Sequence, residues 1–143
     1  RQCGVELNIR PTVSETELVA LYNQVRATAY APHLEPFGLV PLESMACGTP
    51  VVGVREGGGV ETILDGETGF LVERDVQAFA QALQTICSNP DLATQYGMRG
   101  RSYVEEHWAW DHRLGTLESY LSEIARTGKM HICTAEIKER ASA

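Results

Sequence analysis

Apolar positions follow two different spacings in the first half of the chain. Every second residue is apolar over 5–9, which predicts a strand because successive strand side chains point to opposite faces. Short apolar, β-prone runs predict three more strands, at 27–31, 50–54 and 69–72. Between them, helical spacing predicts helices from Ser14 past Tyr22, from about Gly38 to Cys47, and over 60–64. Strands that alternate with helices indicate an α/β fold with a parallel sheet.

Capping signals fix the ends of two of these helices. Ser14 is a favourable N-cap and Glu17 stands three residues later, which forms a capping box. Proline is tolerated only in the first turn of a helix, so Pro41 places the start of its helix at residues 38–40. Gly48 supplies the C-terminal end of that helix.

The second half of the chain is predicted to be helical, over residues 76–87, 91–107 and 111–125. Gly97 and Gly100 weaken the middle helix, and Trp108 and Trp110 are interpreted as packing anchors for the terminal helices. We therefore expect a Rossmann-like parallel sheet with flanking helices over residues 1–126. Residues 127–143 are expected to form a loosely packed or disordered tail. With only about four strands, the chain is interpreted as the later part of a doubly wound domain, truncated at its N-terminus.

Composition and charge exclude several classes of function. The 143 residues carry a net charge of −7, which argues against a general nucleic-acid-binding surface. The four cysteines lack metal-site or disulfide spacing, so free thiols in a reducing compartment are expected. No apolar run reaches the roughly 18 residues of a membrane span. The expected location is the cytoplasm, with peripheral membrane association of a full-length protein as an alternative.

Two predicted loops are placed to bind a ligand, at residues 33–38 and 55–59. Ligands of parallel sheets bind beyond the carboxyl ends of the strands. The helix that starts near Gly38 presents free N–H groups that suit a phosphate. Glu35 and Glu43 lie on either side of this helix start, and carboxylates are good acceptors for paired hydroxyls. A phosphate between polyols is the shape of a nucleotide-sugar. The alternative is that Glu35 stabilises the helix dipole and Glu43 lies on a solvated helix face.

The stretches HLEPFGLVPLESMACGTPVVGV and GGGVETILDGETGFLV carry a family resemblance. Together they resemble the C-terminal nucleotide-sugar-binding domain of retaining GT-B glycosyltransferases, of group 1 or family 4. The shared pattern is Glu, seven residues, Glu, with Phe-Gly after the first glutamate and Gly-x-Pro-Val-Val after the second. The Gly-Gly…Glu and Asp-Gly-x-x-Gly segments match as well. The resemblance covers roughly residues 5–122.

The resemblance implies a role for three side chains or segments of the chain. Glu35 would be the catalytic-site carboxylate that holds a hydroxyl of the transferred sugar, and Glu43 would accept hydrogen bonds from the ribose. Val13 falls where the family contacts the base through its backbone. By the same resemblance, three residues would offer backbone N–H groups to the sugar and the diphosphate: Phe37, Gly38 and Leu39. Gly57 and Gly58 would keep the neighbouring loop close to the donor site.

The implied reaction is transfer of a sugar from a nucleoside-diphosphate sugar to an acceptor with retention of anomeric configuration. It needs no metal and no cofactor, since a helix dipole and basic side chains stabilise the leaving group. The acceptor, a sugar or a lipid, would bind to an N-terminal domain missing from this chain. The family's upstream Arg–Lys pair would also precede Arg1, and Pro11 stands where the family often has glycine. We therefore expect the isolated chain to be inactive. The alternatives are a non-catalytic nucleotide-sugar-binding module and a nucleotide-sugar epimerase-like domain.

Overall fold

A computed structural model describes residues 4–33 and 35–128, apart from the side chain of His112. Two compact units are distinguished among these residues, with the boundary between residues 105 and 106. In chain order the elements are α1 (Glu15–Gln24), β1 (Thr28–Tyr30), α2 (Leu39–Ala46), β2 (Val51–Val54), α3 (Gly59–Thr62), β3 (Gly69–Val72), α4 (Val76–Ser88), α5 (Pro90–His107) and α6 (Trp110–Thr127).

The three strands form one parallel sheet in the order β1-β2-β3. Val52 packs with residues of α4 on one face of this sheet. Gly53 points to the other face, where its neighbours include Ile63 at the end of α3. Helices therefore flank a parallel sheet on both sides, which confirms the predicted Rossmann-like α/β fold. All four residues of β2 are buried, as expected for the central strand of such a sheet.

The strand predicted over residues 5–9 is absent from the described structure, so this prediction was wrong. The side chains of Val5, Leu7 and Ile9 are 70%, 79% and 76% exposed. An alternating pattern forms a strand only where a neighbouring strand supplies hydrogen bonds and one face meets a core. No strand pairs with this segment in the described part of the chain, and the described sheet has three strands rather than four.

The predicted helix ends are confirmed. The Ser14 hydroxyl accepts a hydrogen bond from the Glu17 N–H, and the Glu17 carboxylate accepts one from the Ser14 N–H at 2.9 Å. Gly38 is the N-cap of α2, which makes Pro41 its third residue. Gly48 has a φ of 75°, the left-handed conformation that ends a helix at low cost for glycine.

The two glycines expected to weaken α5 allow it to pack closely on α2. A Cβ atom on Gly97 would lie 2.0 Å from the carbonyl oxygen of Gly48. A Cβ atom on Gly100 would lie 3.0 Å from Cγ of Met45, which is fully buried. The low helix propensity of these glycines is therefore offset by a close contact with the end of α2.

The second unit is described only up to residue 128. Trp108 is half-buried, and the guanidinium of Arg113 lies 4.5 Å from the centroid of its ring. Trp110 is 79% exposed, so its interpretation as a packing anchor was wrong. Nearly all of the predicted tail lies outside the described residues, and the boundary at 126 remains a prediction. Among the described helices, none combines the length and apolar character needed to cross a membrane.

Candidate functional site

The carboxyl ends of the three parallel strands open onto three loops, residues 31–38, 55–58 and 73–75. This is the edge at which open α/β sheets bind their ligands. The first two loops contain most of the residues predicted to bind a donor, and the third brings in a residue that the sequence did not single out.

Arg74 ties the three loops together. Its Nε and Nη2 atoms donate hydrogen bonds to the two carboxylate oxygens of Glu56, each at 2.8 Å, and Nη2 also donates to the carbonyl oxygen of Pro32. The hydrogen bond from Arg74 lowers the pKa of Glu56, and the same bond raises the pKa of Arg74. Sequence reasoning missed Arg74 because no local pattern indicates that it reaches the loops after β1 and β2.

We expect Arg74→Gln to loosen this loop edge while leaving the sheet folded. The amide of Gly58, which donates to the Glu35 carbonyl at 3.3 Å, should exchange its hydrogen roughly three- to tenfold faster, because local opening sets exchange at such sites. The midpoint of thermal unfolding should change little, since exposed ion pairs contribute little. Amide exchange followed by NMR measures both effects.

Arg101→Gln is the matched control for that experiment. It breaks another exposed Arg–Glu pair, with Glu105 one helical turn away in α5, without touching the three loops. Equal protection of the Gly58 amide in both variants would contradict a role for Arg74 in holding the loops.

Two glycines of the second loop lie directly against the backbone of the first. A Cβ atom on Gly57 would lie 2.3 Å from the carbonyl oxygen of Glu35, and one on Gly58 would lie 2.1 Å from that of Phe37. Gly57 also has a φ of 55°, which favours glycine. Any side chain at these positions would force the loops apart, so the structure brings together the glycines and the Glu35–Phe37 segment.

The N-terminus of α2 lies at the junction of these loops. Its N-cap, Gly38, is buried and makes no side-chain capping bond. A Cβ atom there would lie 2.8 Å from Oγ1 of Thr62 in α3. The first turn of a helix carries unpaired N–H groups and a partial positive charge, an arrangement that suits an anion. Leu39 follows with a side chain that is 58% exposed, so its contribution to a ligand would be its main chain.

Glu43 lies in the second turn of α2, and a tyrosine holds its carboxylate. The Tyr22 hydroxyl, from α1, donates a hydrogen bond to Oε2 of Glu43 at 3.2 Å. Burial and then the Glu43 charge raise the pKa of Tyr22 to about 12. Glu43 itself remains exposed, so its carboxylate is oriented on one side and open to a ligand on the other.

Glu35 is half-buried and also lies near a tyrosine. Tyr30, the last residue of β1, is 5% exposed. Burial first, and then the proximity of the Glu35 carboxylate, raise the pKa of the Tyr30 hydroxyl to about 12. Sequence reasoning missed both tyrosines, because each reads as an ordinary apolar position of a helix or a strand.

Val13 stands apart from this group. It is half-buried, immediately before the N-cap of α1, and none of the hydrogen bonds that tie the loops involves it. Its connection to the rest is indirect, through α1 and the bond from Tyr22 to Glu43. Within the described part of the chain, no group of three or more His, Cys, Asp or Glu residues is arranged to hold a metal ion.

Known proteins resemble this chain in sequence and in fold. One relative, the GDP-mannose-dependent alpha-(1-6)-phosphatidylinositol monomannoside mannosyltransferase of Mycolicibacterium smegmatis, is 41% identical over 90 residues. The match covers 62% of this chain and 24% of that protein, so the chain spans about a quarter of its curated relative's length.

Two solved structures resemble the fold. The C-terminal domain of a glycosyl transferase group 1 family protein from Francisella tularensis aligns with a TM-score of 0.64 and 29% identity, over 71% of this chain and 53% of that one. HepE of Anabaena, in complex with UDP and glucose, aligns with a TM-score of 0.66 and 25% identity, over 72% of this chain and 29% of that one.

A family model confirms the resemblance to group 1 glycosyltransferases. The model described as glycosyl transferases group 1 matches residues 2–103, which include α1 to α4, all three strands and most of α5. The chain belongs to the glycosyl transferases group 1 family.

Proposed function

We propose that this chain is the donor-binding portion of a glycosyltransferase that moves a sugar from a nucleoside-diphosphate sugar to an acceptor, with retention of anomeric configuration. The observation that carries the proposal is the loop edge of the sheet. There the N-terminus of α2 lies between Glu35 and Glu43 and against the glycines of the second loop. Hydrogen-bond donors for a phosphate and hydrogen-bond acceptors for sugar hydroxyls therefore come from one short segment of the chain.

The parts of a nucleotide-sugar match these groups one by one. We assign the diphosphate to the main-chain N–H groups around Gly38 and Leu39, where the helix dipole is favourable. The ribose diol goes to the Glu43 carboxylate that Tyr22 orients. The transferred sugar is assigned to Glu35 and to the main-chain N–H of Phe37. Gly57 and Gly58 contribute by their lack of a side chain, which keeps the second loop against the first.

The base is assigned to the main chain around Val13. Its backbone precedes α1, and α1 is joined to α2 through the bond from Tyr22 to Glu43. This link gives the base segment a fixed relation to the ribose-binding carboxylate, which supports the assignment.

Compared proteins support the ligand class. The mycobacterial relative is named for its dependence on GDP-mannose, and the structure of HepE contains UDP and glucose. GDP-mannose is a sugar derivative of a nucleoside diphosphate, and UDP is a nucleoside diphosphate. We propose the same class of donor, a nucleoside-diphosphate sugar, for this chain.

The leaving nucleoside diphosphate carries negative charge that something must stabilise. We propose that the α2 N-terminus and basic side chains do so without a metal ion. Those basic side chains, together with the acceptor-binding domain, would lie in the part of the relatives' length that this chain does not span. The chain alone is therefore expected to bind a donor without transferring its sugar, and transfer to an added acceptor would contradict this.

Ligand-observed NMR on the chain with a panel of UDP- and GDP-sugars, in buffer with EDTA, tests the proposal. We expect binding of one or more donors, and its loss in Glu43→Gln. Binding only after a divalent cation is added would contradict the metal-independent part of the proposal. Failure of every donor to bind would contradict donor binding by this portion of the protein.

Two alternatives predict different results in a protein that spans the full length of the relatives. A non-catalytic module would bind the donor and never transfer its sugar. An epimerase-like protein would convert one nucleotide-sugar into another without any acceptor. Incubating that full-length protein with the donor identified by the panel, with and without candidate acceptors, separates these outcomes from glycosyl transfer.

A further inference from the structure

Tyr30 carries a polar atom that the fold does not use. The residue ends β1 at the carboxyl edge of the sheet, and only 5% of its surface is exposed. Its hydroxyl oxygen is buried and has no hydrogen-bond partner in the described part of the chain. Buried hydroxyls are usually paired, because an unpaired one loses its bonds to water without replacement.

Packing explains the ring of Tyr30 and leaves the hydroxyl unexplained. A Cβ atom on Gly53 in β2 would lie 3.8 Å from Cδ1 of Tyr30, and one on Gly59 at the start of α3 would lie 3.5 Å from Cε1. The ring therefore covers two glycines, which phenylalanine would do equally well. A hydroxyl at this buried position needs another reason.

The neighbouring group that can explain the hydroxyl is the Glu35 carboxylate. Glu35 lies five residues after Tyr30, and its carboxylate lies near the hydroxyl, short of a hydrogen bond of normal geometry but close enough to raise the pKa of Tyr30. Because the hydroxyl oxygen is buried, a ligand on the surface of the loop edge meets Glu35 before it meets Tyr30. Tyr30 is thus placed to act on a ligand through Glu35.

We propose that Tyr30 is a positioning residue of the donor site, whose hydroxyl donates a hydrogen bond to the Glu35 carboxylate when a nucleotide-sugar is bound. This inference rests on the proposed function. A neutral phenol is a suitable partner because it fixes the orientation of the carboxylate and leaves its charge in place. The hydroxyl, unpaired in the free chain, becomes paired in the complex.

A double-substitution cycle tests the role with UDP-glucose and GDP-mannose as probes. We expect Tyr30→Phe to weaken binding roughly three- to tenfold, the usual effect of losing one hydrogen bond. In the Glu35→Ala background, which leaves the hydroxyl no side-chain acceptor at position 35, the same substitution should have little further effect, because Tyr30 acts through the carboxylate. An equal loss in both backgrounds, or no loss in either, would overturn the proposal.

Tyr96→Phe is the matched control for the cycle. Tyr96 is 8% exposed, and it packs edge-on against Phe70 in the core between the sheet and α5. Removing its hydroxyl should leave donor affinity unchanged. If Tyr96→Phe weakened binding as much as Tyr30→Phe, the effect would be one of general stability, and the positioning role would be rejected.

A second measurement needs no donor. Tyrosines labelled at Cζ can be titrated by NMR between pH 8 and pH 11, where a tyrosine with a pKa of about 12 stays mostly protonated. Glu35→Gln removes the negative charge beside Tyr30, so its pKa should fall. Glu43→Gln should lower the pKa of Tyr22 and leave that of Tyr30 unchanged.

The two measurements separate failure of this inference from failure of the proposed function. An unchanged Tyr30 pKa in Glu35→Gln would show that the Glu35 carboxylate is not close to the hydroxyl, and would overturn the inference whether or not a donor binds. A lowered pKa together with no binding of either probe would contradict the proposed function, and with it the donor-site role of Tyr30, while the contact itself would stand.

Discussion

Replacing Glu43 with alanine is expected to lower the affinity of the chain for its donor by tenfold or more. Hydrogen bonds to a charged group contribute about 1.5–3 kcal/mol each, and about 1.4 kcal/mol corresponds to a factor of ten in affinity. A ribose diol bound by both oxygens of Glu43 would therefore lose at least one factor of ten. Titration of the donor identified by the panel, by calorimetry or NMR, measures this loss.

Glu43→Ala also removes the acceptor for the Tyr22 hydroxyl, so a second variant is needed. Glu43→Gln keeps an oxygen for Tyr22, removes the charge and replaces the second acceptor oxygen with an NH2 donor. We expect it to lower affinity nearly as much while leaving stability closer to that of the parent chain. A loss of affinity in Glu43→Ala alone would assign the effect to Tyr22 and the packing of α1.

Glu67→Ala supplies the matched control for net charge. Glu67 is exposed in the turn that leads into the amino end of β3, whereas the three loops follow the carboxyl ends of the strands. Its removal changes the charge of the chain by the same amount. We expect unchanged donor affinity in this variant. If Glu43→Ala also left affinity unchanged, Glu43 would be an exposed helix residue whose role is to pair with Tyr22.

Gly58→Ala is expected to destabilise the first unit by about 3 kcal/mol. The backbone of Gly58 has a φ of −66° and a ψ of −12°, which alanine adopts without strain. The added methyl group would, however, lie within 2.1–2.3 Å of three backbone atoms of Phe37. Relieving the overlap requires one loop to move, and overpacking of this kind costs roughly 1–3 kcal/mol or more.

Thermal unfolding measures the effect, with an expected fall in midpoint of roughly 10 °C or more for a unit of this size. Gly115→Ala is the control, because nothing lies within 4 Å of a Cβ atom there and Gly115 is inside α6. Alanine favours a helix over glycine by about 1 kcal/mol, so this variant should be no less stable than the parent chain. An unchanged midpoint in Gly58→Ala would mean that the two loops do not touch as closely as described.

Local signals predicted the elements that depend on local interactions. The capping box at Ser14, the early position of Pro41 in α2 and the apolar run of β2 all correspond to the observed elements. Each is determined by residues within a few positions of one another, through capping, the missing N–H of proline, or burial on both faces. The fold class followed from their order along the chain.

Predictions that depend on distant partners failed or were never made. The alternation of residues 5–9 favours a strand, but no strand lies beside it in the described structure. Trp110 is apolar enough to be a packing anchor, yet it is largely exposed. Tyr22 pairs with Glu43 across 21 positions of sequence, a contact that no periodicity encodes. The roles assigned to the site residues in donor binding remain predictions.

Arg74 has a consequence for the order in which the donor site assembles during synthesis. It follows the last strand of the sheet, and its partners Glu56 and Pro32 precede it by 18 and 42 positions. A nascent chain that has left the ribosome only as far as β2 contains Glu35, Glu43 and the start of α2. Arg74 does not yet hold its loops together. Contacts at such separations form late, because they require a long segment to be closed. Ribosome-bound chains should therefore acquire donor affinity only after Arg74 has emerged, well after the residues that would contact the donor.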